Sequence, residues 1–310
     1  MLGGKNVEDY IKTAGGRAMY LPGDNLKIPS VYNLTVGVAK TLFRNTTLEV
    51  DVVHSKQTNL QSGRDGNIST STLSPFVRPY PQFSTVTLIE PLTTSYYDAL
   101  QTQLNTRLTW ATFRVSYTFG KMLSYGTNDN ANNGSDPLGV MKNDDRGLDE
   151  NDRRHAISWS SMFSLPYGVQ VAAIVSVRTG NPWDINAGVD LDGYTIDRTE
   201  RPTGLVKNSG GTENQVNLDI INAYRASRKA APVTMDQLTQ GNGDKLLDIR
   251  LTKSIKLGGT RRADLFIEGY NVLNAVNYEP PTGSMASASF AIRTVARDAR
   301  QIQWGAKFVF

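Results

Sequence analysis

The chain has 310 residues, 39% of them hydrophobic, with 27 Gly, no Cys and a net charge of +4 from 33 basic and 29 acidic side chains. Without Cys there are no disulfides, thiolate metal sites or cysteine nucleophiles, and so small a charge with no Lys/Arg block argues against nucleic acid as a partner. No run of about 18 apolar residues exists, which argues against a transmembrane helix; a transmembrane barrel stays open, because each of its strands needs only about 9–11 residues, half of them polar.

The first residues, MLGGKNVEDYIKTAGG, lack the basic start and apolar core of a secretory signal and read as loop. Leu34, Val36 and Val38 then alternate with Asn33, Thr35 and Gly37, and after FRNT, Leu48, Val50 and Val52 alternate with Glu49 and Asp51. Period-two alternation on both sides of a short turn predicts a hairpin. Residues 56–94 are rich in Ser, Thr and Pro and read as irregular. Tyr96, Leu100, Thr102 and Leu104 oppose Tyr97, Gln101, Gln103 and Asn105, and a turn near Thr109 leads into Phe113, Val115, Tyr117 and Phe119. TNDNANNGSDPLG and DDRGLDENDRR form a long polar loop.

A third hairpin joins Ile157, Trp159, Ser161 and Phe163 to Val169, Val171, Ala173, Val175 and Val177 through Leu165-Pro166-Tyr167-Gly168. Residues 179–243 make the longest loop, with a short helix near DIINAYRAS. Leu247, Ile249, Leu251 and Ile255 follow; Lys253 breaks their apolar face at its end, where its ammonium can snorkel to headgroups. GGTRR turns the chain into Leu265 and Ile267. In the last strand Ile302, Trp304, Ala306, Phe308 and Phe310 take one face, and Gln301, Gln303, Gly305 and Lys307 the other.

Short turns thus alternate strictly with long loops, and counting back from the last strand puts every short turn at the same rim. A compact soluble domain has little reason for this pattern, whereas a transmembrane barrel has short periplasmic turns and long extracellular loops. The expected fold is all-β: an antiparallel transmembrane barrel segment of about nine strands. Its lipid face is formed by Leu34, Val36, Val38, Leu48, Val50, Val52, Phe113, Val115, Val171, Val175, Ile249, Leu251, Trp304 and Phe308. A soluble β-sandwich binding module is the control reading, and would need both faces of every strand covered.

The ending, with Gln303, Gly305, Phe308 and Phe310, resembles the C-terminal assembly signal of bacterial outer-membrane proteins. The segments RPYPQF, SYYDALQTQLNTRL, VSYTFGKML, DRRHAISWSSMFSLPYG, RTGNPWDINAGVDLDGYTIDRTERP, DIRLTKSIKLGG and FIEGYNVLNAVNY resemble successive barrel segments of TonB-dependent receptors of the Oar-like, carboxypeptidase-regulatory-like-domain kind. That resemblance implies a 22-stranded barrel with an internal plug. It places residues 1–28 as the remnant of an extracellular loop and 29–310 as part of the barrel, with plug, TonB box and N-terminal domains outside this chain. It also implies the cell outer membrane, with four partners: membrane lipid, the barrel assembly machinery, the TonB complex through the missing parts, and a bulky nutrient such as a glycan, peptide or metal chelate. The expected role is non-enzymatic, energy-coupled uptake. A surface structural or adhesion role is the alternative.

Chemistry-bearing residues are sparse, and no cofactor is expected. His54 and His155, the only histidines, are read as lumen or rim residues rather than ligands. Asp190-Leu191-Asp192-Gly193 with Asp197 lacks the full spacing and closing Glu of a calcium loop. Asp144, Asp145, Asp149, Glu150 and Asp152 with Arg146, Arg153 and Arg154 read as a rim network, not as a catalytic carboxylate pair. No Gly-rich phosphate loop or Gly-x-Ser-x-Gly elbow occurs.

Overall fold

The computed structural model describes residues 17–67, 80–125, 146–189, 191, 200–239 and 243–310. Among the described residues, eleven strands form one sheet. They are β1 (Arg17–Pro22), β2 (Ser30–Phe43), β3 (Thr46–Asp65), β4 (Phe83–Arg107), β5 (Ala111–Ser124), β6 (Gly147–Leu148), β7 (His155–Leu165), β8 (Val169–Arg178), β9 (Asp244–Gly258), β10 (Arg261–Tyr270) and β11 (Gln301–Val309). The ladder runs β2-β3-β4-β5-β7-β8-β9-β10-β11, every neighbour antiparallel. Among the described residues, β2 and β11 at its two ends are hydrogen-bonded on one side only. No described helix is long and apolar enough to cross a membrane.

Register carries the alternation across the whole sheet. Val36 opposes Val52, Val52 opposes Leu100, and Leu100 opposes Phe119. Further along, Val115, Trp159, Val175 and Leu247 form one row, and Leu251, Ile267 and Trp304 another. All fourteen residues expected on the lipid face lie on this one side. The opposite face is polar and internally bonded. Gln103 donates to Glu49 at 3.4 Å, Arg114 to Asn105 at 2.7 Å, Arg250 to Glu268 at 2.7 Å, and Ser254 to Asp264 at 2.6 Å.

Among the described residues, no protein covers the apolar face. Val38 is 71% exposed and Trp304 84% exposed, an arrangement that water penalises and hydrocarbon does not. Strands β7, β8, β10 and β11, of 11, 10, 10 and 9 residues, match the length a tilted strand needs to cross a bilayer. Aromatic rings bound the band at both ends: Tyr32, Tyr96, Tyr117 and Phe119 toward the long loops, and Phe43, Trp110, Phe163 and Tyr167 toward the turns. Rings with an apolar body and a polar tip favour that boundary. Lys253 behaves as its position suggests: its Nζ reaches the turn and donates to the Tyr167 carbonyl.

Three sequence expectations need correction. The count of nine misses β1 and β6, which lie off the ladder: β1 pairs in parallel with β4, and β6 with β5. β1 falls inside the opening stretch read as loop, whose residues 1–16 lie outside the described set. Of the stretch 56–94, read as irregular, residues 56–65 instead lengthen β3 to 20 residues and 83–94 lengthen β4 to 25, while 68–79 lie outside the described residues. Asn59, at φ 58, interrupts the period there, and register slips between Gln57, Leu60 and Ser62. A bulge of this kind scrambles alternation without ending the strand. Both strands therefore exceed one bilayer crossing and rise well beyond it.

The long connections after β8 and β10 build a layer over that rim. It contains α1 (Gln215–Ser227), capped by Asn214, whose side chain accepts from the Asn217 N–H at 3.2 Å, and the single turn α2 (Met235–Thr239). The layer holds an apolar core of Trp183, Ile185, Leu205, Ile221, Val233, Leu238, Met285, Phe290 and Ala291, with no strand residue among them.

Candidate functional site

Two places concentrate the residues singled out above, the terminal strand and the rim. In β11, Gln303 donates to Glu268 and to the Tyr270 hydroxyl, the latter at 3.1 Å, and so belongs to the polar face. Gly305 opposes Phe266, and a Cβ on it would lie 2.5 Å from that ring. Phe308 opposes Ala263 on the apolar face, and Phe310 stands past the last ladder pair, 91% exposed. The motif thus divides by face, with Gln303 and Gly305 inward and Phe308 outward, while Phe310 lies beyond the ladder.

At the rim, one fully buried carboxylate gathers cations from three separate segments. Asp244, first residue of β9, lies 2.6 Å from Arg178 at the end of β8, 2.8 Å from Arg297 in the last loop, and 3.6 Å from Arg153 ahead of β7. Arg297 also holds Glu279 at 2.8 Å, and its hydrogen bond to Glu279 first, with Asp244 adding, keeps it firmly protonated. Burial lowers the Arg153 pKa against the opposing pull of Asp244. The cluster bolts the loops to the strand tops. Removing the carboxylate would leave like charges facing one another.

A second set joins the β6 segment to the layer. Lys207 Nζ donates to Ser124 Oγ at 3.1 Å, Asn208 donates to the Leu148 carbonyl at 2.7 Å, and the Asn208 N–H donates to Asp184 at 3.1 Å. Burial pulls the Lys207 ammonium down, with Asp149 the main opposing charge. It pushes Asp184 and Asp152 up, although Asp152 accepts from the Met122 N–H. Asp149 and Asp152, two of the carboxylates expected to form a rim network, are buried, whereas Glu150 is exposed. Asp144 and Asp145 lie outside the described residues, as do Asp190, Asp192, Gly193 and Asp197.

Sequence reading missed what the asparagines of GYNVLNAVNY do. Asn271, at φ 48, donates to the Ala275 carbonyl at 3.0 Å and accepts the Ala275 N–H at 2.9 Å. Asn277 accepts the Lys245 N–H at 2.7 Å. Asn takes left-handed backbone more readily than most residues and can satisfy buried backbone groups, so a cluster of Asn after a strand was the available signal. The histidines mark the outer end of the apolar face: His54 lies 2.6 Å from Asp98, and His155 lies 2.8 Å from the Tyr117 hydroxyl and packs against Phe119. Among the described residues no group of three His, Asp or Glu could hold a metal ion.

The sheet is similar to solved outer-membrane proteins. The outer membrane transporter YddB from Escherichia coli matches at TM-score 0.59 and 11% identity, over 94% of this chain and 34% of that one. The FrpB iron transporter from Neisseria meningitidis gives TM-score 0.46 and 12% identity, over 94% and 33%. The chain therefore spans about a third of the length of these two structures. No curated protein matches it. A model of the outer membrane beta barrel domain matches residues 5–303. This is the setting that the uncovered apolar face, its aromatic borders and the polar inner face require: the chain belongs to the outer membrane beta barrel domain family and resides in the Gram-negative outer membrane.

Proposed function

We propose that the chain is part of the wall of a TonB-dependent receptor of the Oar-like kind, in which a 22-stranded barrel takes up a bulky nutrient by energy coupling and catalyses no reaction. The observation that carries this reading is the pair of one-sided strands β2 and β11. Backbone N–H and C=O groups without partners cost several kcal/mol each in hydrocarbon, so further strands must close the wall. A larger barrel has room for a plug and a wide solute. In this reading the short turns face the periplasm, as in other outer-membrane barrels, and the layer built around Trp183 and Phe290 faces outside and contributes to ligand selection.

Gln303, Gly305, Phe308 and Phe310 are proposed as the signal for the barrel assembly machinery. Phe310, free of the ladder, is the side chain best placed to be read. A full-length receptor lacking Phe310 should reach the outer membrane at a small fraction of the normal level, and an unchanged level would refute the signal.

The transport reading is tested by ligand uptake in cells carrying the full-length receptor with and without its TonB partner. Uptake abolished by a protonophore supports it. Uptake indifferent to both treatments, together with loss of cell contact on deletion of residues 179–243, would favour the surface role.

A further inference from the structure

A cleft of about 720 Å³ lies where the loop layer meets the outer ends of β7, β8 and β9. Arg154, Lys245 and Arg293 line it, with His155, Asn181 and Tyr278. Lys245 belongs to the apolar face, because it opposes Val177, which in turn opposes Ile157. The cleft therefore includes the outer end of the row of Ile157, Val177 and Lys245 on the apolar face.

Its cations differ from their neighbours. Arg153, Arg178 and Arg297 are all committed to Asp244, whereas Arg154, Lys245 and Arg293 make no ion pair among the described residues. Arg154 rests over the Phe119 ring at 5.8 Å and Arg293 over Tyr278 at 5.3 Å, so both guanidinium planes are held by aromatics rather than by carboxylates. Arg293 Nε and Asn181 Oδ1 are both buried without a hydrogen-bond partner. Two carboxylates share the lining: Asp152 accepts from the Met122 amide and also feels the nearby Arg154 charge without pairing to it, and Glu213 is exposed.

We infer that this cleft binds a phosphate-bearing lipid headgroup of the outer leaflet. Guanidinium forks and an ammonium are the donors that phosphate oxygens take. Ile157, Trp159, Val175, Val177 and Leu247 continue the site downward as a track for the acyl chains. A soluble phosphate compound would use the cations and leave that track empty. The inference uses the outward orientation of the loops in the reading above and does not depend on transport.

The test uses the full-length receptor extracted from the outer membrane in mild detergent, with retained lipid counted by native mass spectrometry. The wild type should keep about one phosphorylated lipid in this site. Lys245→Gln, a change at an exposed side chain, should reduce retention about tenfold, the scale of one charge-assisted hydrogen bond. Arg154→Gln combined with Arg293→Gln should abolish it. Because these two arginines pack on rings, Lys245→Gln alone keeps the test decisive if the double variant misfolds. Inorganic phosphate at millimolar concentration should leave the lipid in place. Equal retention in wild type and Lys245→Gln would overturn the inference, and so would tight binding of inorganic phosphate that displaces the lipid, which would identify a site for a soluble anion. Failure of uptake with normal lipid retention would count against the transport reading alone.

Discussion

The Phe266 ring lies over Gly305, its partner across β10 and β11, and fills the place where a side chain would stand. The Arg250 guanidinium sits on the same ring, 4.2 Å from its centre. A strand glycine exposes backbone and weakens pairing, and an aromatic neighbour on the same face can compensate for it. Gly305→Ala should therefore cost about 1–3 kcal/mol through overpacking. Combined with Phe266→Ala it should cost less than the sum of the two single changes. A double-mutant cycle on the unfolding of the full-length barrel in lipid measures this, and strict additivity would show that the two positions do not interact.

Charge should be tolerated by one face and not by the other. Arg at Val175 or Leu251, mid-strand on the apolar side, should cost about 2–4 kcal/mol. At Thr252, one residue along and on the polar side, Arg should be nearly neutral. Equal cost at Leu251 and Thr252 would mean that the faces are wrongly assigned.

Asp244→Asn keeps the shape of the rim cluster and removes its negative charge from among Arg153, Arg178 and Arg297. Breaking a buried pair of this kind costs about 3–5 kcal/mol, and the loss should fall on the loop layer rather than on the sheet. Limited proteolysis should then cut between residues 200 and 239 in intact cells while heat-modifiability of the barrel persists. Cleavage matching the wild type would show that the cluster holds nothing in place.

Asp152 gives the rim a pH dependence whose sign follows from its raised pKa, caused first by burial. A raised carboxyl favours the protonated folded state, so its contribution is complete below the ordinary Asp value of 3.8 and is lost as pH rises through the shifted value. Asp152→Asn can still accept the Met122 N–H but cannot ionise. Hydrogen exchange of the rim amides between pH 4 and pH 7 should change less in this variant than in the wild type, after correction for intrinsic rates. An identical pH response would assign the effect to other groups.

The sheet was legible because one physical rule governs it. Leu34, Val115, Ile249 and Trp304 are far apart in sequence, yet each alternates with polar neighbours, and a period of two fixes a face wherever it persists. That rule failed at Asn59, whose left-handed backbone shifts the period while pairing continues into Ser62 and Asp65. The loop layer was illegible for a different reason. Trp183, Ile185, Leu205 and Phe290 follow neither a strand nor a helix period, so their convergence is set by tertiary packing alone. In the cleft, Arg154 and Arg293 come from two different connections and Lys245 from the start of β9, and only the fold brings them to one wall.

The loop-layer core around Ile221 is shielded from water by protein, whereas the apolar face of the folded sheet is covered by lipid, so the two parts respond to different conditions. The loop layer is stabilised by removing carbon from water, so it carries a positive heat capacity of unfolding and weakens on cooling and in urea. The sheet answers to hydrocarbon thickness and backbone pairing instead. Cold or denaturant can therefore loosen the roof while the wall stands, and a thinner or thicker bilayer strains the wall without disturbing the roof.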